Sequence, residues 1–366
     1  MKIKYYLIIL LTLILLTACQ PAEIQPVFTT TYSLATPIPL PNIRPKVAAN
    51  LPGRIRSFSI SPDVKIIAFA TSQGVVIYDL KTYKHLQTLN ETESFYLVDW
   101  SPDGKNLAAG GLVMQSSEFG NSHLVVWDTS SWKIIFEQTS KDDTLTSIYG
   151  DIAWSPNSRS LADSINGMGV LVHDIQSGEV ISQQETLSSH NISWSPDGTR
   201  IVGTGDLASA IRRWKVNTDE AVRLFDERAG SFMQIAWSPD GKRIASGSAE
   251  GTVCFWTTAT NECDGFIKKA HQYTVFSLAW SPDGNQLATG GGVIRIWDSH
   301  TGKVIKSFGM SKISVYKQLQ WLAIDQLLVS AEVGYADSAL TIVRFWDVDT
   351  GQILYEFHGA SSSWGE

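Results

Sequence analysis

Apolar residues along this chain fall in runs of four to eight, cut at short intervals by Ser, Pro, Asp and Gly. One stretch shows the plan. Residues 275–280 (Val-Phe-Ser-Leu-Ala-Trp) are followed by Ser281-Pro282-Asp283-Gly284, a second run over 286–289, and an apolar-polar alternation over 293–297. Asp298-Ser299-His300-Thr301-Gly302 then interrupts before a last run over 303–308. Short runs of period two bounded by turn residues predict β-strands. In the first turn Pro presets φ, Asp follows, and Gly stands fourth, where left-handed backbone is easily reached. The second turn closes a hairpin, its Gly suited to a bulge. The stretch therefore reads as four antiparallel strands.

The unit recurs. Its anchor, the residue before Ser-Pro, is found at Ile60, Trp100, Trp154, Trp194, Trp237, Trp280 and, without Ser-Pro, at Trp321, with separations of 40, 54, 40, 43, 43 and 41 residues. A second marker follows each anchor by 17 to 27 residues: Tyr78-Asp79, Trp127-Asp128, His173-Asp174, Trp214-Lys215, Trp256-Thr257, Trp297-Asp298 and Trp346-Asp347. Eleven of the thirteen tryptophans sit on these two markers, a regularity that chance would not produce. A four-stranded unit of this length cannot bury both faces alone, and radial packing of such units solves the problem.

On these residues the chain is similar to the WD-repeat propellers of bacterial type, over roughly residues 54–358. The resemblance implies an all-β, seven-bladed β-propeller of four-stranded antiparallel blades occupying residues 51–358, with 359–366 as a tail. Each blade is expected to be contiguous in sequence. Blade one is the least regular, with Val64 where the turn Gly belongs, while residues 113–122 and 332–339 are insertions in blades two and seven.

Ahead of the repeats, Met1-Lys2-Ile3-Lys4 is basic and residues 5–16 are apolar, too few for a comfortable transmembrane helix. The run ends at Leu16-Thr17-Ala18-Cys19, which resembles a bacterial lipobox. Residues 1–19 are thus expected to be a lipoprotein signal peptide with Cys19 as the lipidation site, giving an exported protein held on a membrane. Six prolines between 20 and 50 predict an extended tether.

Composition adds limits. A formal charge of −7 and a pI near 5.5 do not suggest a nucleic-acid partner, and a monomer is expected. Besides Cys19 there are Cys254 and Cys263, flanking one hairpin turn of blade five; they are either a disulfide or two separate buried thiols. No nucleophile elbow, metalloprotease helix, Cys-x-x-Cys or phosphate loop is present, so no catalytic residue, metal or cofactor is assigned. His271 resembles the blade-tying histidine of WD repeats, with Thr289 and Trp297 as its partners, although the usual Asp is absent.

Function is expected at a surface. Four residues before each anchor, where the first strand leaves the channel mouth, stand Arg56, Tyr96, Gly150, His190, Met233, Phe276 and Lys317. One position earlier come Phe95, Tyr149, Phe232 and Tyr316. Aromatic and Arg side chains at a rim are the stuff of interface hot spots. For Phe95, Phe232 and Phe276, packing between blades is the competing reading. The resemblance implies a non-catalytic scaffold that binds a protein or peptide. The alternative is a ligand-binding or hydrolytic propeller working in the channel through Asp99, Asp151 and His190, although channel-lining carboxylates are more often merely solvated.

Overall fold

The computed structural model describes residues 46–113, 121–139, 149–165, 169–184, 191–204, 211–218, 220–224, 230–309, 314–322, 327–334 and 341–360. Cys19, the apolar run before it and most of the Pro-rich stretch lie outside them. Seven antiparallel sheets follow one another, spanning residues 55–89, 94–139, 149–184, 191–224, 232–267, 277–308 and 314–358, each with its four strands in chain order. This is the seven-bladed propeller, the four antiparallel strands of every blade contiguous in the chain. The inner strand of each blade comes first: Ile55–Ile60, Ser94–Trp100, Tyr149–Trp154, Asn191–Trp194, Phe232–Trp237, Ser277–Trp280 and Ser314–Trp321.

One strand was not legible. Lys46–Asn50 pairs parallel to Gln352–His358 and makes blade seven five-stranded. The tether expected over 20–50 therefore gives up its last five residues, which follow Pro45 and contain no proline themselves. Leu51 then buries its side chain and donates its N–H to His358 O at 2.8 Å, so the entering chain is fastened to the last blade.

Turn chemistry repeats faithfully. In blade two the Gly104 N–H donates to Ser101 O at 2.8 Å, Ser101 Oγ donates to Asp103 Oδ1 at 2.8 Å, and the same Oγ accepts from Asn106 N at 2.9 Å. Gly104, Gly198, Gly241 and Gly284 all lie near φ +70°. Val64 and Ser158 reach the same left-handed region with a side chain, which costs on the order of 1–2 kcal/mol each.

Burial is distributed. Seven apolar clusters occupy the seven spaces between neighbouring blades, including one that joins blade seven to blade one through Phe345, Phe357, Phe58 and Phe69. The marker tryptophans Trp127, Trp214, Trp256, Trp297 and Trp346 are among the largest fully buried side chains. Each removes on the order of 200 Å² of surface from water, a gross gain of roughly 5 kcal/mol. Their indole N–H groups need acceptors: Trp256, Trp297 and Trp346 donate to Ser246, Thr289 and Ser330 hydroxyls, each at 2.8 Å. Blade three replaces this pair with His173 and Asp163, in contact at 2.8 Å.

His271 joins the blade-six pair, its Nε2 lying 2.7 Å from Thr289 Oγ1. Arg295 Nη1 approaches His271 Nδ1 at 3.3 Å, so a guanidinium stands where the resemblance would place an Asp. Nδ1 is thus the acceptor and Nε2 carries the proton. Burial first, then the Arg295 charge, lowers the His271 pKa to about 3.

Inner strands are sheet edges, and their unpaired backbone groups need partners. Side chains and indoles of the adjoining inner strand supply them at all seven interfaces. Ser59 Oγ accepts from Trp100 N (3.1 Å), Asp99 Oδ2 from Trp154 N (3.4 Å), Asp151 Oδ2 from Ile192 N (3.0 Å), and Asn191 Oδ1 from Ile235 N (2.8 Å). Trp280 Nε1 donates to Ala236 O (3.1 Å) and Ser277 Oγ to Tyr316 O (2.8 Å). Gln318 closes the ring by grasping both Phe58 N (3.1 Å) and Phe58 O (2.8 Å). Anchor indoles reinforce the belt: Trp154, Trp194 and Trp321 donate to Asp99, Ala153 and Ala279 carbonyls at 3.1, 2.9 and 3.0 Å.

Two predictions follow from this construction. An added Cβ at Gly284 would meet only Pro239 Cδ at 3.6 Å, so space is adequate and the backbone alone resists. Gly284→Ala should lower unfolding free energy by about 1–2 kcal/mol in urea titration. The second concerns Asp99 and Asp151. Burial is the main cause that raises each carboxyl to about 7; backbone N–H groups oppose it, and the Asp151 charge adds to the rise at Asp99. A carboxyl raised in the fold retains protons that the unfolded chain has already lost. Its contribution is therefore full below about pH 4 and is lost as pH climbs through about 7. His271 acts oppositely, its contribution being full above about pH 6.5 and lost as pH falls towards 3. Between pH 5 and 7.5, Asp99→Asn should thus lose less stability than the unaltered protein, measured as urea midpoints; an unchanged difference would contradict this titration.

Candidate functional site

Because all seven inner strands run the same way, their starting ends share one face of the ring and the Ser-Pro-Asp-Gly turns share the other. On the starting face a feature appears that hydrophobic patterning did not reveal. The pairing of inner and second strand slips between Ile55 and Ser57, Phe95 and Leu97, Tyr149 and Asp151, Phe232 and Gln234, and Tyr316 and Gln318. The skipped residues are Arg56, Tyr96, Gly150, Met233 and Lys317, all four positions before an anchor. A bulge leaves its extra residue out of the ladder and re-aims its side chain.

This splits the two rows of rim candidates. The earlier row faces inward: Ile55, Phe95, Phe232, Val275 and Tyr316 are all buried. Tyr316 is thereby corrected as a partner-binding candidate. It is 1% exposed, stacks edge-on against Trp346, donates its hydroxyl to Gly309 O, and has its pKa pushed up to about 12, chiefly by burial. Phe95 meets Trp127, and Phe232 meets Trp256, in the same edge-on way. The side chain of Tyr149 and the whole of His190 lie outside the described residues.

The bulged row stays accessible. Arg56, Tyr96, Met233 and Phe276 are half-buried and Lys317 is exposed. Phe276 precedes its inner strand and is held by its N–H on Gly290 O at 2.8 Å. Arg56 and Tyr96, from adjacent blades, form a pair with the guanidinium carbon 3.7 Å from the ring centroid. Arg56 Nη1 is buried and has no hydrogen-bond partner among the described residues. A guanidinium held against a phenol ring is a pre-ordered aromatic and cationic pair at the rim. The insertions meet the same face. Val113 pairs with Asn121 and Val333 with Thr341, so both begin as lengthened hairpins; residues 114–120 and 335–340 lie outside the described set.

The channel carboxylates are otherwise employed. Asp99 and Asp151, expected as solvated lining or as acid and base, accept backbone N–H groups of the next blade, and Asp151 Oδ2 also accepts from Asn191 Nδ2 at 2.6 Å. They hold the ring. Cys254 and Cys263 form a disulfide, with Cα atoms 6.2 Å apart, inside the usual span. A register shift between Phe255 and Trp256 lies along the strand that carries Cys254.

Known proteins agree with this geometry. The family described as "WD domain, G-beta repeat" matches residues 220–257 and 263–298. Each match opens at the outer strand of one blade and ends at the marker of the next, so a sequence repeat bridges two blades. A WD repeat-containing protein 26 homolog of Arabidopsis thaliana is 27% identical over 110 residues, which cover 29% of this chain and 18% of that protein. The chain thus spans less than a fifth of that relative's length. Sequence repeats and blade geometry converge: the chain carries WD40 repeats within a seven-bladed propeller.

Proposed function

We propose that this protein is a non-catalytic, lipid-anchored scaffold outside the cytoplasm, which holds a protein or peptide partner on the face where its inner strands begin. The bulged row carries the reading. Five blades spend a β-bulge at the same place, and the side chains so released include Arg, Tyr, Met and Lys, the first three being types enriched at interfaces. WD40 propellers generally bind protein partners, which favours the same conclusion. The channel offers less for chemistry, since Asp99 and Asp151 already serve the backbone of neighbouring blades.

Support for the anchor comes from the sequence: the basic start, the apolar run and Leu16-Thr17-Ala18-Cys19. The Cys254–Cys263 disulfide suits an oxidising compartment. Prolines between Cys19 and Lys46 provide a spacer between lipid and ring. The pairing of Lys46–Asn50 with blade seven fixes where that spacer meets the fold.

Two expected outcomes follow. A partner captured by the mature domain from membranes of its own cell should bind the Arg56→Ala, Tyr96→Ala double variant at least about 30-fold more weakly, the equivalent of a 2 kcal/mol hot spot. Undiminished binding, with loss instead on trimming residues 113–122, would move the site to the insertion. Separately, Cys19→Ala should abolish lipid labelling and release the protein without detergent. Continued labelling would refute the anchor.

A further inference from the structure

Between blades four and five, on the face of the Ser-Pro-Asp-Gly turns, lies a cleft of about 480 Å³. Between blades five and six, Arg243, Phe255 and Ser299 border a separate hollow of about 70 Å³ beside the outer strand. The three positions equivalent to Arg200, Arg213 and Thr258 are filled differently there. In the smaller one, Arg243 lies over Phe255 and Trp280, 5.3 and 5.5 Å from their ring centroids, and donates to Ser299 O and Oγ at 2.6 and 3.1 Å. Cation, ring and acceptors complete each other.

Blade four alters one member of that set. Arg200 occupies the position of Arg243, six residues after its anchor, and Thr258 that of Ser299, but Arg213 stands where Phe255 would be. Arg213 Nη1 takes the acceptor, Thr258 O, at 2.9 Å. Arg200 faces a second guanidinium and, among the described residues, makes no side-chain hydrogen bond of its own; Asp197, in the same lining, is the carboxylate its charge acts on. Blade four alone carries Arg at both positions. Trp237 also lines the cleft; its buried Nε1–H has no hydrogen-bond partner among the described residues, whereas Trp280 at the same position donates to Ala236 O. Two guanidiniums beside an open volume, with Asp197 and Glu220 as the carboxylates acting on them, leave room for one further carboxylate.

The acidic groups there restrict what that is. Asp197 and Asp240 line the mouth, each with Oδ1 bound inside its own turn, by Ser195 Oγ at 2.6 Å and Ser238 Oγ at 2.7 Å. Glu220 acts on Arg213 from farther off. Carboxylates at the entrance repel multiply charged anions such as phosphate, and they welcome a cation carried next to a single carboxylate. The volume suits a small molecule. We propose that this cleft binds a small zwitterionic carboxylate of α-amino-acid type, its carboxylate on Arg200 and its ammonium towards Asp197 and Asp240.

The test is calorimetric titration of the mature protein with individual L-amino acids, alongside acetate and inorganic phosphate. At least one amino acid should bind saturably while acetate and phosphate do not. Arg200→Gln should weaken it by tenfold or more. Arg213→Phe, which copies the arrangement that blade five already folds with, should close the cleft and abolish binding while leaving the melting temperature without ligand within a few degrees. The proposal is overturned if none of the amino acids binds, if phosphate binds as well as they do, or if Arg200→Gln binds unchanged. Partner capture by the rim on the opposite face is a separate readout and should survive both substitutions.

Discussion

A propeller blade presents its first strand as an open edge to the central channel, and everything else here depends on how that edge is satisfied. Seven inner strands expose N–H and C=O groups that no ladder reaches. The chain meets them with polar side chains aimed sideways at the next blade: Ser59, Asp99, Asp151 and Asn191 accept, Ser277 and the Trp280 indole donate, and Gln318 does both across the closure. The apolar clusters supply the bulk of the stabilisation, but they are non-directional. The belt sets the relation of one inner strand to the next, and with it where the rim side chains stand.

Closure is reinforced from outside as well. Lys46–Asn50 adds itself to the outer edge of blade seven while Gln318 works at the inner edge, so the first and last parts of the domain are joined at both radii. An outer edge covered in this way is one fewer exposed template for unwanted pairing. It also means that in the proposed anchored protein, tension on the spacer would reach blade seven first.

Much of the fold was legible because the repeat announces itself in Trp and in Ser-Pro-Asp-Gly, whose roles are local. The turn needs Pro and Gly for their φ, and the buried indole needs an acceptor, whether or not neighbours are known. What escaped was whatever depends on register or on another blade. The rim rows could be listed, but a one-residue slip decides which row faces out, and nothing in Tyr316-Lys317 as a dipeptide says that the Tyr goes in. Lys46–Asn50 is too short and mixed to stand out beside the prolines before it. The anchor tryptophans looked like packing residues of their own blades, yet Trp154, Trp194, Trp280 and Trp321 spend their N–H groups on the blade before. Arg200 and Arg213 are ordinary polar positions in sequence, and only comparison with Arg243 and Phe255 shows that a second guanidinium has taken the place of a ring.

Two faces of the ring thus carry different chemistry: a rim of re-aimed aromatic and basic residues at one end, and at the other regular turns with a cleft lined by Arg200, Arg213, Asp197 and Asp240. The central claim, that partners meet the first of these, is tested most directly by site-specific photo-crosslinking in the protein's own cell. A photoreactive residue in place of Tyr96 should capture a discrete partner, whereas the same residue in place of Asp103, on the opposite turn face, should not. Capture from position 103 with none from position 96 would contradict the account.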